Sequence, residues 1–265
     1  MKSKTWDNCA RAYLQNLQAA GRAKGTIRVH RYYLQIMRGI APCPGLVSRE
    51  RLEAWLAEHD WKPETRRSAQ GVAHQFFNFL VEEGILKSSP AQFLRPVHVP
   101  DGVPRPATEK QVAGALCQAD KRTELMVRLA AFCGLRACEI ATVAGSDWDG
   151  EVLRISGKGG RVRIVPVQDS TLISELESCP GWLFPGRIDG HLSAQYTAKL
   201  LGGVLPKGVT GHALRHRFGT VAYRATHDLL AVGAVMGHVK TDTTKRYIKL
   251  DLAPLTQAVR AAQMT

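Results

Sequence analysis

The sequence predicts a mainly α-helical protein with a small antiparallel β-sheet, divided into two domains. Three observations predict this fold class. Apolar residues recur at helical spacing along most of the chain, one stretch reads as two short strands around a glycine turn, and a proline-rich stretch separates a helical part from a mixed one. The 265 residues suit one large or two modest domains, and a hydrophobic content of 45% is enough for packed cores.

Residues 1–95 are predicted to form a bundle of four short helices. Trp6 and Tyr13 fall on one face of the first helix, and a second apolar pattern follows two glycines. Ser48 resembles an N-cap for the third helix. Pro63 suits the first turn of a fourth helix, which carries a long apolar stripe. Short loops between such helices are typical of a small bundle.

Residues 96–107 are predicted to be an extended linker, because repeated prolines block both helices and central strands. Residues 108–265 then form a second, mixed α+β domain. Thr108 and Gln111 have the spacing of a helix capping box. The segment 151–167 predicts a β-hairpin, and the pattern is helical again from about residue 192. The linker prolines are Pro96, Pro100, Pro104 and Pro106.

The charge and cysteine content restrict the function classes. A net charge of +13 indicates a polyanionic partner, with nucleic acid first. Six cysteines without a CxxC pair make a zinc site or a disulfide framework unexpected, which fits a reducing cytoplasm. The sequence contains no apolar run long enough to span a bilayer, and its start lacks the apolar core of a signal peptide. We therefore expect no metal, no membrane association and a cytoplasmic location.

Four short stretches contain polar residues that packing alone explains poorly. Taken singly, each has an ordinary interpretation: an arginine reaching out of a core edge, a lysine in a glycine turn, a basic helix face on phosphates, or a packed tyrosine. The stretches are FCGLRACEI (132–140), ISGKGGRVRIV (155–165), GHALRHRFG (211–219) and VGAVMGHVKTDTTKRYIKL (232–250).

In their order along the chain, these stretches resemble the catalytic motifs of the tyrosine recombinase (phage integrase) family. The matching features are GLRxxE, the glycine-turn lysine, HxLRH, GH, and a tyrosine nine residues after the GH histidine. The matches extend from about residue 132 to residue 247. The resemblance implies catalytic roles for Arg136, Lys158, His212, Arg215, His238 and Tyr247, with Glu139 and His216 in support.

The chemistry of DNA strand transfer accounts for these residue types. Charge develops on the phosphate oxygens during in-line displacement, and two guanidinium groups can clamp them without a divalent metal or another cofactor. Tyr247 is the candidate nucleophile, because an aryl phosphate ester conserves the bond energy and needs no ATP for rejoining. Lys158 can protonate the departing 5′ oxygen. His212 and His238 can donate to the phosphate, and His212 can also accept the tyrosine proton.

The resemblance further implies how the protein assembles on DNA. It implies a 3′-phosphotyrosyl intermediate, a Holliday junction, and a homotetramer on two double-stranded core-type sites. The amphipathic tail 251–265 is expected to dock on a neighbouring subunit, although docking on its own domain is an alternative. The helical bundle resembles the family's core-binding domain by helix count and position. Its candidate DNA contacts, each equally explained as a solvated face, are Lys24, Arg28, Arg31, Arg66 and Arg67.

The first helix begins almost at residue 5, so the chain resembles the compact, arm-less, Xer-like type of the family. We expect a site-specific recombinase that integrates or excises a phage or another mobile element, with a possible directionality factor. We expect it at the nucleoid, in the bacterial cytoplasm. The alternatives are Xer-type resolution of chromosome or plasmid dimers, a type IB topoisomerase, and a DNA-binding regulator without catalysis.

Overall fold

A computed structural model of the chain describes residues 5–100, 104–157 and 162–237. The described residues are mainly helical, with one two-stranded antiparallel sheet, so the predicted fold class is confirmed. The chain divides into two compact units, Met1–Gly102 and Val103–Thr265. None of the helices described is both long and apolar enough to cross a membrane.

Over residues 5–100, the first unit is a bundle of four helices joined by short connections and two single-turn 3₁₀ helices. Its core is aromatic: the ring of Trp6 stacks on Phe76 at 5.8 Å between centroids, and Phe77 packs edge-on against both. The Ser48 hydroxyl accepts from the Arg51 backbone N–H and caps the third helix. The helices are α1 (Trp6–Ala19), α2 (Lys24–Met37), α3 (Arg49–Glu58) and α4 (Pro63–Glu82).

The second unit packs its helices around a separate apolar core. The capping box between Thr108 and Gln111 is present at the start of its first helix. Its long helix Gly211–Thr226 packs against the helix Lys121–Phe132, and the short helix Ala137–Ile140 packs against Ala194–Gly203. The helices are α5 (Glu109–Gln118), α6 (Lys121–Phe132), α7 (Ala137–Ile140), α8 (Ser170–Glu177), α9 (Ala194–Gly203), α10 (Gly211–Thr226) and α11 (Leu229–Met236).

The small sheet pairs strand β1 (Val152–Ser156) with strand β2 (Val162–Pro166), in a register that sets Ile155 opposite Arg163. A third strand, β3 (Pro185–Ile188), lies outside this sheet. Strand side chains alternate between faces, so Arg163 shares the inner face of β2 with the buried Val165. The sheet therefore directs a charged side chain toward the interior of the second unit.

Candidate active site

Arg136 lies at the start of α7, directly after a sharp turn of the backbone. Gly134 in that turn has a φ of 68°, which favours glycine, and a Cβ built on it would lie 2.5 Å from Cδ1 of Phe218. The turn buries Leu135 and leaves the Arg136 side chain 39% exposed. Both the backbone conformation and the contact with Phe218 therefore require glycine immediately before the arginine.

Glu139 holds Arg136 at two points. Its Oε2 accepts from the Arg136 backbone N–H at 2.8 Å, and its Oε1 accepts from Arg136 Nη1 at 2.8 Å. The Glu139 side chain is only 4% exposed. Within the described part of the chain, Nε and Nη2 of Arg136 have no hydrogen-bond partner. Glu139 thus orients the arginine and leaves part of the guanidinium available to a ligand.

Arg163 is a second partner of Glu139, and the motifs did not single it out. Its Nη1 and Nη2 donate to the two carboxylate oxygens at 2.9 and 2.8 Å, and its Nε donates to the Val235 carbonyl at 2.7 Å. The sequence contained no signal for this role. Arg163 stands between the apolar Val162 and Ile164, and strand side chains alternate between faces, so the pattern favours an outward arginine. The structure instead exposes Val162 and Ile164 and directs Arg163 inward, where it needs a partner.

Glu139 is an ionised carboxylate in this setting. Burial by itself raises the pKa of Glu139, but the hydrogen bonds from Arg163 and Arg136, with the charge of Arg163, outweigh it and lower that pKa to about 2. The carboxylate therefore carries its negative charge throughout the neutral pH range.

Arg215 reaches the same carboxylate from α10. Its Nη1 lies 3.7 Å from Glu139 Oε2, and its side chain is 2% exposed. The guanidinium also donates to two backbone carbonyls, those of Gly134 and Met236. Arg215 thus connects the turn before Arg136 with the last turn of α11. We call the four side chains Arg136, Glu139, Arg163 and Arg215 the arginine–glutamate cluster.

His212 and His216 lie one turn apart in the first half of α10, on the helix that carries Arg215. Their ring centroids are 4.4 Å apart, with the rings nearly perpendicular. His212 is exposed and His216 is half-buried. Among the residues described, no group of three or more His, Cys, Asp or Glu is placed to hold a metal ion.

Lys158, His238, Tyr247 and the tail 251–265 lie outside the described residues. The described chain ends at Gly237, which terminates α11 with a φ of 64°. A Cβ on Gly237 would approach Cδ of Arg163 to 3.0 Å. The residue that precedes His238 in sequence is therefore packed against the arginine–glutamate cluster.

The candidate DNA contacts of the first unit fall into two groups. Four of them are exposed, on α2 and on α4 (Lys24, Arg28, Arg31 and Arg67). Arg66 differs, because it is half-buried and its Nη2 donates to the His59 carbonyl at 3.3 Å. That contact joins α4 to the segment after α3. The exposed α2 face also carries two apolar side chains, Val29 and Tyr32.

Residues 106–253 match the phage integrase family. Tyrosine recombinase XerC of Mesorhizobium japonicum is 33% identical over 225 residues, which cover 74% of this chain and 72% of the relative. Tyrosine recombinase XerA of Pyrococcus horikoshii is 28% identical over 268 residues, which cover 94% of this chain and 91% of the relative.

Solved structures show the same fold at lower identity. A lambda integrase dimer bound to a COC′ core site has a TM-score of 0.75 at 15% identity, covering 91% of this chain and 76% of that one. XerH bound to a difH substrate before cleavage has a TM-score of 0.69 at 16% identity, covering 96% of this chain and 84% of that one.

Proposed function

This chain belongs to the phage integrase family, and on that premise we propose that it is a site-specific DNA recombinase that cuts and rejoins strands through a covalent link to Tyr247. The observation that carries the proposal is the arginine–glutamate cluster. It holds Arg136 partly exposed and places Arg215 beside the same carboxylate. Such a site suits a phosphodiester, which carries a negative charge that grows in the transition state.

In the proposed reaction, the Tyr247 oxygen attacks the scissile phosphorus. The new bond is a 3′-phosphotyrosyl ester, and the bond to the 5′ oxygen breaks. Lys158 supplies the proton that the 5′ oxygen takes up, and His212 accepts the proton that Tyr247 gives up. Arg136 and Arg215, with His212 and His238, hold the phosphate oxygens. A 5′ hydroxyl of a partner duplex reverses the step and joins the strands.

The two arginines enter this reaction from different starting positions. Arg136 can donate to a phosphate from its free nitrogens without leaving Glu139. Arg215 donates to the carbonyls of Gly134 and Met236. We infer that Arg136 meets the phosphate from the exposed side of the site and Arg215 from its buried side, since their side chains are 39% and 2% exposed.

We propose that the two units have different roles. Residues 1–95 bind core-type DNA, 96–107 form the linker, and 108–265 carry out catalysis. The four exposed cations of α2 and α4 fit the first role, since such residues neutralise backbone phosphates. Arg66 fits it less well, because its contact with His59 is internal to the unit. Assembly as a tetramer through the tail 251–265, and control by a directionality factor, belong to the same proposal.

The biological role within this activity has two candidates. We propose integration or excision of a phage or another mobile element as the first. Xer-type dimer resolution is the second, and the match to the XerC of Mesorhizobium japonicum favours it. Recombination assays with directly repeated sites on one plasmid, against sites on two plasmids, distinguish resolution from integration.

The test of the nucleophile is a covalent trap. Duplexes selected by the protein from a randomised library are nicked at tiled positions, so that the short strand released by cleavage diffuses away. The wild type is expected to give a protein–DNA adduct that survives denaturation, and Tyr247→Phe is expected to give none. Tyr196→Phe is the matched control, because Tyr196 is an exposed tyrosine of the same unit. An adduct with Tyr247→Phe, or none with the wild type, contradicts the proposal.

A second assay separates recombination from topoisomerase activity. A supercoiled plasmid carrying two selected sites is expected to yield recombinants and four-way junctions. Relaxation of the plasmid without either product would indicate a type IB topoisomerase instead.

A further inference from the structure

Arg163 completes the arginine–glutamate cluster from a strand that carries none of the predicted site residues described. Its guanidinium forms a two-point pair with Glu139, at 2.9 and 2.8 Å. Its side chain is 10% exposed, against 39% for Arg136. Because both terminal nitrogens face the carboxylate, Arg163 is placed to act on Glu139 rather than on a ligand.

The charge balance of the cluster depends on Arg163. Arg136 and Arg215 bring two positive charges, and the ionised Glu139 lies within 2.8 and 3.7 Å of them. Without Arg163, the carboxylate would cancel about half of the positive charge that a phosphate meets. With Arg163, three guanidinium groups and one carboxylate leave a net charge of +2. In a site of low dielectric, this difference of one unit of net charge strongly changes how well a developing negative charge is stabilised.

Arg163 also connects two segments that lead to residues of the proposed reaction. It lies five positions after Lys158 in sequence, in β2. Its Nε donates to the Val235 carbonyl in the last turn of α11, and Gly237 packs against its side chain. His238 follows Gly237 directly. One side chain therefore fixes the end of α11 against β2.

We propose that Arg163 is a positioning residue for strand cleavage, which neutralises Glu139 so that Arg136 and Arg215 retain their charge for the phosphate, and which holds the end of α11 against β2. The inference rests on the proposed function, since it concerns the same phosphoryl-transfer site. A purely structural role would predict a loss of stability without a specific effect of the Glu139 charge.

The test compares four variants on the nicked duplex that traps the wild-type adduct. They are Arg163→Met, Arg163→Lys, the double variant Arg163→Met with Glu139→Gln, and Arg128→Met as the control. Arg128 is also a largely buried arginine of the second unit, paired with the two carboxylates of Glu124 and Asp169. The single-turnover rate of adduct formation and the Kd for the intact duplex are measured separately.

Arg163→Met is expected to slow adduct formation roughly 10- to 100-fold, the range found for residues that orient metal-ligating side chains, which act on a site in the same indirect way. Kd is expected to stay unchanged. Adding Glu139→Gln is expected to recover part of that loss, because it removes the uncompensated negative charge. Arg163→Lys keeps the charge but cannot make all three hydrogen bonds, so an intermediate rate is expected. Arg128→Met is expected to retain the wild-type rate.

Equal rates for Arg163→Met and Arg128→Met would overturn the proposal, as would a double variant no faster than Arg163→Met. If Arg163→Met does not fold, the cleavage rate of Arg163→Lys tests the proposal instead. A wild-type rate in Arg163→Lys contradicts it. Amide hydrogen exchange at residues 235–237 adds a readout independent of cleavage. Faster exchange is expected in the Arg163 variants and not in Arg128→Met, and unchanged exchange contradicts the link to α11. If the wild type forms no adduct, the proposed function is refuted. The exchange data would still show whether Arg163 holds the end of α11 against β2.

Discussion

The two units of this protein bury very different groups at their centres. In the first unit, Trp6, Phe76 and Phe77 pack ring against ring, and Tyr13 and His30 form a buried polar pair whose Oη and Nδ1 lie 2.9 Å apart. Burial lowers the pKa of His30, which favours the neutral form at neutral pH. In the second unit, the arginine–glutamate cluster buries a carboxylate between three guanidinium groups.

The aromatic core and the buried ion pairs contribute different things to the protein. Burying an aromatic ring stabilises the fold by an amount that scales with area and depends little on direction. Burying an ion pair costs desolvation that its attraction only about repays, so it is a weak source of stability. It does fix direction, because each hydrogen bond requires one geometry. We interpret the first centre as a source of stability and the second as a source of orientation at the site.

The largest effect on stability is expected from Phe76→Ala. The side chain is fully buried, so its loss should cost about 3–5 kcal/mol through lost burial and the cavity left behind. Urea denaturation with hydrogen exchange at α4 measures it for the first unit, since two units can unfold separately. Phe93→Ala, at a side chain 68% exposed, should change stability by less than about 0.5 kcal/mol. Equal losses in the two variants would contradict an aromatic core as the source of stability.

The arginine–glutamate cluster should make the free energy of unfolding depend on pH. Glu139→Gln should remove this dependence, because it removes the titrating carboxyl. The pKa of Glu139 falls from an ordinary 4.5 to about 2 on folding. A lowered pKa stabilises the fold above pH 4.5, and this stabilisation is lost as the pH falls toward 2. The wild-type advantage over Glu139→Gln should therefore shrink by about 2 kcal/mol between about pH 6 and about pH 3. Urea denaturation at both values measures it, and parallel pH curves would refute the ionised state.

Gly134→Ala tests how strictly the turn before Arg136 requires glycine. Two losses in the free energy of unfolding are expected. The left-handed conformation should cost about 1–2 kcal/mol, and the contact of the new Cβ with Phe218 about 1–3 kcal/mol. Gly84→Ala is the matched control, with a φ of 66° and no atom within 4 Å of the added Cβ. Gly84→Ala should therefore lose only the stability that the left-handed conformation costs. Similar losses at both glycines, measured by urea denaturation, would show that Phe218 can move aside.

The smallest effect is expected from Tyr13→Phe in the first unit. It removes the hydroxyl bonded to His30 and keeps the ring, so the loss should be about 1–2 kcal/mol from an unsatisfied buried nitrogen. Tyr32→Phe, on an exposed ring of α2, should be close to neutral. Thermal or urea unfolding compares the two, and no difference between them would show that the Tyr13–His30 pair contributes nothing.

Local features of the fold could be predicted from sequence because their causes are local. The Ser48 cap, the Thr108 capping box, the helix start at Pro63 and the hairpin each depend on residues a few positions apart. The family could likewise be predicted, since its motifs are short and ordered along the chain. The catalytic roles stay predictions for every residue of the motifs: Arg136, Lys158, His212, Arg215, His238 and Tyr247.

Arg163 and Arg66 could not be assigned in this way. Arg163 meets Glu139 across 24 positions and Val235 across 72, and no local pattern encodes such distances. Arg66 resembled Arg67 in sequence, yet the fold buries part of Arg66 and leaves Arg67 exposed. Neighbouring arginines on one helix differ in this way because the rotation of the helix against its neighbours decides which one meets a carbonyl.

The helical bundle, the hairpin, the family and the residue types that phosphoryl transfer requires could all be predicted from the sequence, because periodicity, caps and motifs act over short stretches. Other features depend on the folded arrangement of distant segments. Among the described residues, Glu139 has three arginine partners, Arg215 is buried while Arg136 is partly exposed, and Gly237 packs on Arg163. The reason is physical: a charge taken out of water needs partners from whatever segments the fold brings beside it, and those segments are distant in sequence.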